Sequence, residues 1–375
     1  MAYSARLRKA IGAVRASLAC LGIVSQDARF RQHGRHAPDP EAPLVLVACS
    51  GGRDSMALAA LSGTVCASLG VRCGAVVVDH QLQSGSAQAA ADAAQRCRTL
   101  GLSPVEVRRV AIDVRGRGLG EEAAAREARY QAIVDVVRET GADVVLLAHT
   151  KDDQAETVLI GLSRSSGIDA VSGMPATFTR DGVRFARPLL DVTRRETTGI
   201  CEDLGLRWWD DPTNGDAVEA GTPLPDRYPL RSRIRHTLVP YLNGFFGGDL
   251  ASHLADAARL ARQDKDYLDA AADVAWRESV IRSSAAEPGR DHDGARQIDI
   301  RADALAARHP AIRRRVIARA LALLGAPFTS RHVERVDELV VRWHGQGPVS
   351  LPGGFQAGRR RHVIRLCENG THADR

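Results

Sequence analysis

The sequence predicts an α/β fold: a parallel sheet with helices on both faces, followed by a mainly helical C-terminal domain. Three observations predict it. Short apolar runs alternate with amphipathic stretches of helical length as far as Leu204, the pattern of βαβ units. A Gly-rich turn joins the first apolar run directly to the first of these helices. Beyond His236 the chain becomes rich in Ala, Arg and Leu at helical spacing.

The elements follow in order. Ser4 to Leu21 reads as an amphipathic helix and Gln26 to Pro43 as a polar linker, so residues 1–43 form an N-terminal helix and linker. Strands are expected at Leu44–Ala48, Arg72–Asp79, Val105–Ile112, Asp143–Ala148 and Val183–Leu190. The helices between and after them are Ser55–Leu69, Ser86–Leu100, Glu121–Thr140, Asp152–Leu162 and Thr193–Leu204, with Gly141 as a C-terminal stop. Consecutive strands bridged by helices pair in parallel, so residues 44–235 form one α/β unit. Residues 205–235, rich in Pro, Gly and Asp, read as a long functional loop. Residues 236–375 form a mainly helical domain, with helices at Leu250–Ala275, Ala311–Leu324 and Val333–Trp343 and a small hairpin in Val349–Leu366.

Composition narrows the class. The chain has 375 residues, 44% hydrophobic and 26% charged, enough for sizeable cores. No apolar stretch approaches the ~20 residues of a membrane helix. The balance of 51 basic against 45 acidic side chains gives +6, which permits a polyanionic partner without requiring one. Only Lys9, Lys151 and Lys265 are lysines, so 51 − 3 = 48 basic residues are arginines. Seven cysteines with no C-x-x-C pair argue against a disulfide framework, a zinc ribbon and a cysteine-held cluster, and fit a cytoplasmic location.

The strongest chemical signal is Ser50-Gly51-Gly52-Arg53-Asp54-Ser55 at the first strand-to-helix turn. Two glycines let backbone approach a ligand, and the free N–H groups of a helix start favour an anion such as pyrophosphate. The Ser50 and Ser55 hydroxyls add donors. Neither a Walker lysine nor a G-x-G-x-x-G pattern is present, which disfavours those two nucleotide sites.

These six residues resemble the signature of the PP-loop ATP pyrophosphatase superfamily, whose members cleave ATP between the α and β phosphates. Val77-Val78-Asp79-His80 ends the second strand, and the segment Ala148 to Thr157 ends the fourth. With Arg187-Pro188-Leu189-Leu190, Asp211-Pro212-Thr213-Asn214 and Arg231 to His236, the order over residues 44–242 resembles the tRNA(Ile)-lysidine synthetase family. The resemblance implies a fold like that of adenine nucleotide hydrolases. It implies ATP and Mg²⁺ as requirements, and free L-lysine and a tRNA(Ile) with a CAU anticodon as substrates. The implied reaction adenylates C2 of the wobble cytidine and then replaces AMP with lysine. No membrane is involved, and the oligomeric state stays open, a homodimer included.

Roles follow from that chemistry. Ser50, Gly51, Gly52, Arg53, Asp54, Ser55, Asp79 and His80 are expected to bind ATP, with Asp54 as a Mg²⁺ ligand. Asp153 and Glu156, three apart on one helix, would hold the lysine ammonium and help remove its proton. His149 would contact phosphate or the cytosine oxygen. Arg126 and Arg129, one turn apart, would clamp phosphate, and Arg231 and Arg233 would close over the cleft. Plainer readings stand beside these: Asp152 or Asp153 as a helix cap, Arg126 and Arg129 in a surface ladder with Glu122 and Glu127, and His80 or Cys49 as core packing. Arg313 to Arg315 and Arg359 to Arg361 are either phosphate contacts for tRNA or solvated faces.

Three departures from the family pattern bear on the loops. Gln81 and Gln83 replace a glycine and an arginine, Ser232 replaces an asparagine, and residues 217–225 are an insertion. The rival functions are a PP-loop tRNA thiolase, which would need reactive or cluster-binding cysteines, and a non-catalytic adenine-nucleotide-binding protein.

Overall fold

The computed structural model describes residues 3–31, 36–81, 85–110, 121–216, 218–219, 222–283 and 296–369. Leu82, Gln83, Ala217 and the expected strand end at Ile112 lie outside them. The chain forms two compact units, Met1–Ala261 and Arg262–Arg375. No helix among the described residues is long and apolar enough to cross a membrane.

The first unit begins with α1 (Ala5–Cys20), capped by the Ser4 hydroxyl. It is followed by β1 (Leu44–Ala48), α2 (Arg53–Leu69), β2 (Arg72–Asp79), α3 (Ser86–Thr99), β3 (Val105–Arg109), α4 (Glu121–Thr140) and β4 (Val144–Leu146). Next come α5 (Lys151–Arg164), α6 (Ile168–Val171), β5 (Thr177–Arg180), β6 (Val183–Ala186) and α7 (Arg194–Asp203). The six strands lie in the order β3-β2-β1-β4-β6-β5. All pairings are parallel except β5 with β6. Leu46 and Val76 project to the side of α4, where Ile133, Val134 and Phe185 complete one core. Val45, Val47 and Val77 project to the other side, against Met56, Leu58 and Ala93. Alternate strand residues thus feed two cores, as a sheet covered on both faces requires.

The expected strand Val183–Leu190 ends at Ala186, because Arg187 turns away to donate from Nη1 to the Pro175 carbonyl at 2.7 Å. An unexpected partner, β5, pairs with it through an Asp181-Gly182 turn in which both residues have positive φ, 49° and 80°. Asp-Gly is a favoured hairpin turn for that reason.

The N-terminal helix is not a separate segment. Leu7, Ala10, Val14 and Leu18 are buried in the same core as Leu58, Ile200 and Cys201. Arg6–Asp203 at 2.5 Å and Lys9–Glu196 at 2.8 Å tie its outer face to α7. The boundary expected after residue 235 is also displaced. α8 (Leu230–Arg233), a π-helical turn (Ile234–Leu238) and α9 (Val239–Phe246) belong to the first unit. They are anchored there by Ser232, which donates to the Thr213 carbonyl at 2.8 Å, and by Arg235.

α10 (Leu250–Ser279) carries the chain across the division. The second unit continues with β7 (Val280–Ser283), β8 (Gln297–Arg301), α11 (Ala302–Ala306), α12 (Pro310–Leu324), α13 (Ser330–Val341), β9 (Val349–Leu351), β10 (Phe355–Arg360) and β11 (Val363–Glu368). Its strands form an antiparallel sheet, β7-β8-β11-β10-β9, on which Val316, Leu321, Val336 and Leu339 bury their side chains. The expected hairpin is therefore part of a five-stranded sheet, and the unit mixes helix and strand.

Candidate active site

The site begins where β1 ends. Gly51 has φ +80°, and a Cβ there would meet the Ala93 Cβ at 2.8 Å, so both its backbone conformation and its packing require glycine. Gly52 caps α2 without a side chain, leaving the first N–H groups of that helix open to a ligand. Ser55 donates to the Gly52 carbonyl at 2.8 Å and lies 3.2 Å from the Ser50 hydroxyl, which fixes the turn. A strap from the 205–235 segment covers it. The Trp209 amide donates to the Gly51 carbonyl at 2.8 Å, and Asp216 lies 3.7 Å from Arg53 and 3.2 Å from His236.

This turn opens on a cleft of about 430 Å³. Ser50, Gly52, Arg53, Asp54, Ser55, Asp79, His80, Arg126, Arg129 and His149 line it, whereas Gly51, expected with them, is not among the lining residues. Val76, Val78, Ala90, Ile133 and Leu147 give it an apolar wall. An apolar wall together with anion-binding groups suits a nucleotide.

Asp54 accepts from Thr197 Oγ1 at one oxygen and from Arg194 Nε and Nη2 at the other, both at 3.4 Å. Burial pushes its carboxyl up, against the pull of Arg194 and Thr197. Asp79 is buried; its Oδ1 accepts from the Gln81 amide at 3.0 Å, and Arg109 lies 3.7 Å from its other oxygen. His80 Nδ1 is shut from solvent without a hydrogen-bond partner, and burial, then Arg129, lowers the ring's pKa. His149 Nδ1 accepts from Arg187 Nε at 3.3 Å, so Nε2 carries the ring proton. Burial, reinforced by Arg187 and opposed by Asp153, holds the ring at about 3, and it is neutral at pH 7. Arg126 lies over the Tyr130 ring, 5.2 Å from its centroid, and the expected partner Glu127 instead pairs with Arg180.

The lysine-side residues stand differently. Asp153, Glu156, Arg231 and Arg233 are not among the residues lining the cleft. Asp153 closes a capping box at the start of α5: its Oδ2 accepts from the Thr150 amide at 2.8 Å. Burial would raise its carboxyl, but Arg235 and the Thr150 amide hold it below the ordinary value. Glu156, 1% exposed, receives Arg235 Nε at 2.7 Å and Nη2 at 3.1 Å, with Arg231 at 3.5 Å. Burial raises its carboxyl while Arg235 opposes that. Arg233 does not close over the cleft. It reaches away to exposed Asp226 at 2.6 Å, because Arg231 and Arg235, four apart, share the inward face and Arg233 does not. Arg235 is thus the arginine that the sequence reading passed over, and its spacing from Arg231 is the signal that could have found it. Thr197 and Arg194 were likewise missed.

The basic triplets of the second unit are largely committed to structure. Arg313 pairs with buried Asp337 at 2.6 Å, Arg314 with the same carboxylate at 3.3 Å, and Arg315 with Asp269 at 3.2 Å. Arg359 donates to the Leu339 and Val340 carbonyls at the end of α13 and stacks on Trp343. Arg361 is exposed at the β10–β11 turn, with φ +51°.

Mg²⁺ is commonly held by one or two carboxylates together with substrate phosphates. Among the described residues no three His, Cys, Asp or Glu side chains gather as a metal site, so a cage built by the protein alone is absent there. Asp54, a carboxylate beside the phosphate turn, fits an ion that arrives with the nucleotide.

Comparison with known proteins agrees with this geometry. The model of a PP-loop domain matches residues 26–242, and that of a TilS substrate binding domain matches residues 301–366. The chain is 56% identical over 392 residues to a tRNA(Ile)-lysidine synthase of Bifidobacterium longum subsp. infantis, covering 100% of both chains. It is 45% identical over 332 residues to the Streptomyces coelicolor tRNA(Ile)-lysidine synthase, covering 87% of this chain and 86% of that one. For the Salinispora tropica protein of that name the identity is 43% over 351 residues, covering 92% and 97%. With a relative this similar matched from end to end, and a phosphate turn in the same chain, the protein belongs to the tRNA(Ile)-lysidine synthase family.

Proposed function

We propose that this enzyme, a ligase of the lysidine synthase family, joins free L-lysine to C2 of the wobble cytidine of tRNA(Ile) with a CAU anticodon. In the first step the cytidine O2 bonds to the α-phosphorus of ATP, and the bond to the β-phosphate oxygen breaks with its electron pair leaving on diphosphate. In the second, the lysine ammonium gives up a proton to the Glu156 carboxylate or to water, and the freed ε-amine bonds to C2. The C2–O2 bond breaks, O2 departs within AMP, and the nitrogen sheds its surplus proton to water. The observation that carries the reading is the glycine turn of Gly51 and Gly52, open-capped and set at one end of a cleft with an apolar wall.

The backbone donors of residues 50–55 would hold the polyphosphate, with Asp79 and His80 on the nucleoside side. Asp54 would hold Mg²⁺, whose charge would offset that of the phosphates. Arg126 and Arg129 would bind phosphate from α4, and neutral His149 would donate Nε2–H to the reacting oxygen or phosphate. On the lysine side Glu156 would take the substrate ammonium in exchange for Arg231, whose 3.5 Å pair is the longer of its two arginine contacts, while Arg235, itself 3.5 Å from Asp153, holds Glu156 in place. The second unit would grip the tRNA.

The test incubates the protein with ATP, Mg²⁺, labelled lysine and either the CAU isoleucine tRNA or methionine tRNA. Label enters only the first. Equal labelling of both, or labelling without ATP, would overturn the reading. Glu156→Gln is expected to raise the KM for lysine roughly 10- to 100-fold, the worth of one charged hydrogen bond, while adenylated tRNA still accumulates.

A further inference from the structure

Arg194 opens α7 and faces the phosphate turn across the cleft, although no sequence signal marked it. Its place is fixed twice over. Thr193 forms a capping box with Glu196 immediately beside it, and its own amide donates to Asp152 Oδ2 at 2.7 Å. Its guanidinium is held less tightly. Nε and Nη2 reach Asp54 at a long 3.4 Å, and Nη1 is shut from solvent with no hydrogen-bond partner. Arg53, within the turn itself, likewise has its Nε sealed and unpartnered. A buried N–H left without an acceptor is costly, and a guanidinium presents its donors in a rigid fork suited to phosphate oxygens. Arg53 is the one cation within the turn, and a diphosphate leaving with several negative charges is better neutralised when a second guanidinium faces it.

We propose that Arg194 binds the β- and γ-phosphates of ATP, with Arg53 opposite, and neutralises the diphosphate as it leaves. The proposal rests on the ATP reading above. The alternative is that Arg194 only holds Asp54 in place.

The test measures equilibrium binding of AMP and of an ATP analogue with a methylene α,β bridge to the full chain. The variants are Arg194→Ala, Arg194→Lys, Asp54→Asn and the Asp54→Asn/Arg194→Ala double variant. Arg194→Ala is expected to weaken the triphosphate roughly 10- to 100-fold while AMP affinity stays within about twofold, which also reports an intact fold. Arg194→Lys recovers part of the loss, and the loss persists when Asp54 is already asparagine. Equal weakening of both nucleotides, or disappearance of the effect in the Asp54→Asn background, would overturn the proposal. A wild-type chain that binds neither nucleotide would instead overturn the ATP reading itself.

Discussion

His149 shows how much one side chain's surroundings decide. Its ring accepts from Arg187 and sits among further guanidinium groups, and burial with those charges holds it at about 3 against an ordinary 6.5. In the unfolded chain the same ring takes up a proton below pH 6.5, so the native state is the one with fewer protons. Its contribution is therefore whole above pH 6.5 and shrinks as the pH falls from 6.5 towards 3. The urea midpoint of the first unit should drop between pH 7 and pH 5, and drop less in His149→Asn. Parallel pH profiles for the two proteins would refute this. At this scale the sequence was legible where a motif constrains the backbone, as at Gly51 and Gly52. It was silent where a partner comes from far along the chain. Glu156 meets Arg235 and Asp54 meets Thr197 only after folding, so the partners of both carboxylates could not be read from spacing alone.

Among the elements, α12 is the clearest case of one sequence pattern serving either of two ends. Three consecutive arginines suit a phosphate surface equally well, but α13 supplies Asp337, and the Arg313 pair it forms is buried on both sides. Removing one member of such a pair strands the other charge, which typically costs about 3–5 kcal/mol. Asp337→Ala should destabilise the second unit by that amount in denaturant unfolding, whereas a loss below about 1 kcal/mol would mark the pair as a surface ladder. The β5–β6 hairpin was legible and missed: Asp181-Gly182 between short apolar runs is a hairpin signal, but β5, with an exposed Thr177 and Thr179, lacks a strong apolar alternation. The parallel strands were found because burial on both faces writes them as unbroken apolar runs.

For the molecule as a whole, each unit has its own buried clusters. The two of the first unit are built from residues between Leu7 and Cys201, that of the second from residues between Ala272 and Leu366. Units with separate cores unfold in separate steps unless a large interface couples them. Calorimetry should resolve two transitions, with ATP raising only the one that belongs to the first unit. A single transition shifted entire by nucleotide would contradict that division. Apart from α6 and β5, the order of strands and helices through Leu204 was readable along the chain, whereas the reach of the first unit to Ala261 was not. That reach depends on α8 and the π-helical turn docking through Ser232 and Arg235.

The strap over the phosphate turn carries a consequence for synthesis. Gly51 is bonded to Trp209, and the cleft's lining runs on to Asn214, so the pocket's first-made parts wait for its last. At about 5–20 residues per second, a ribosome needs on the order of ten to thirty seconds to travel from the turn to Asn214. For that interval the nascent glycine turn is without its closing strand of chain, and a nucleotide met during translation would find only half a pocket.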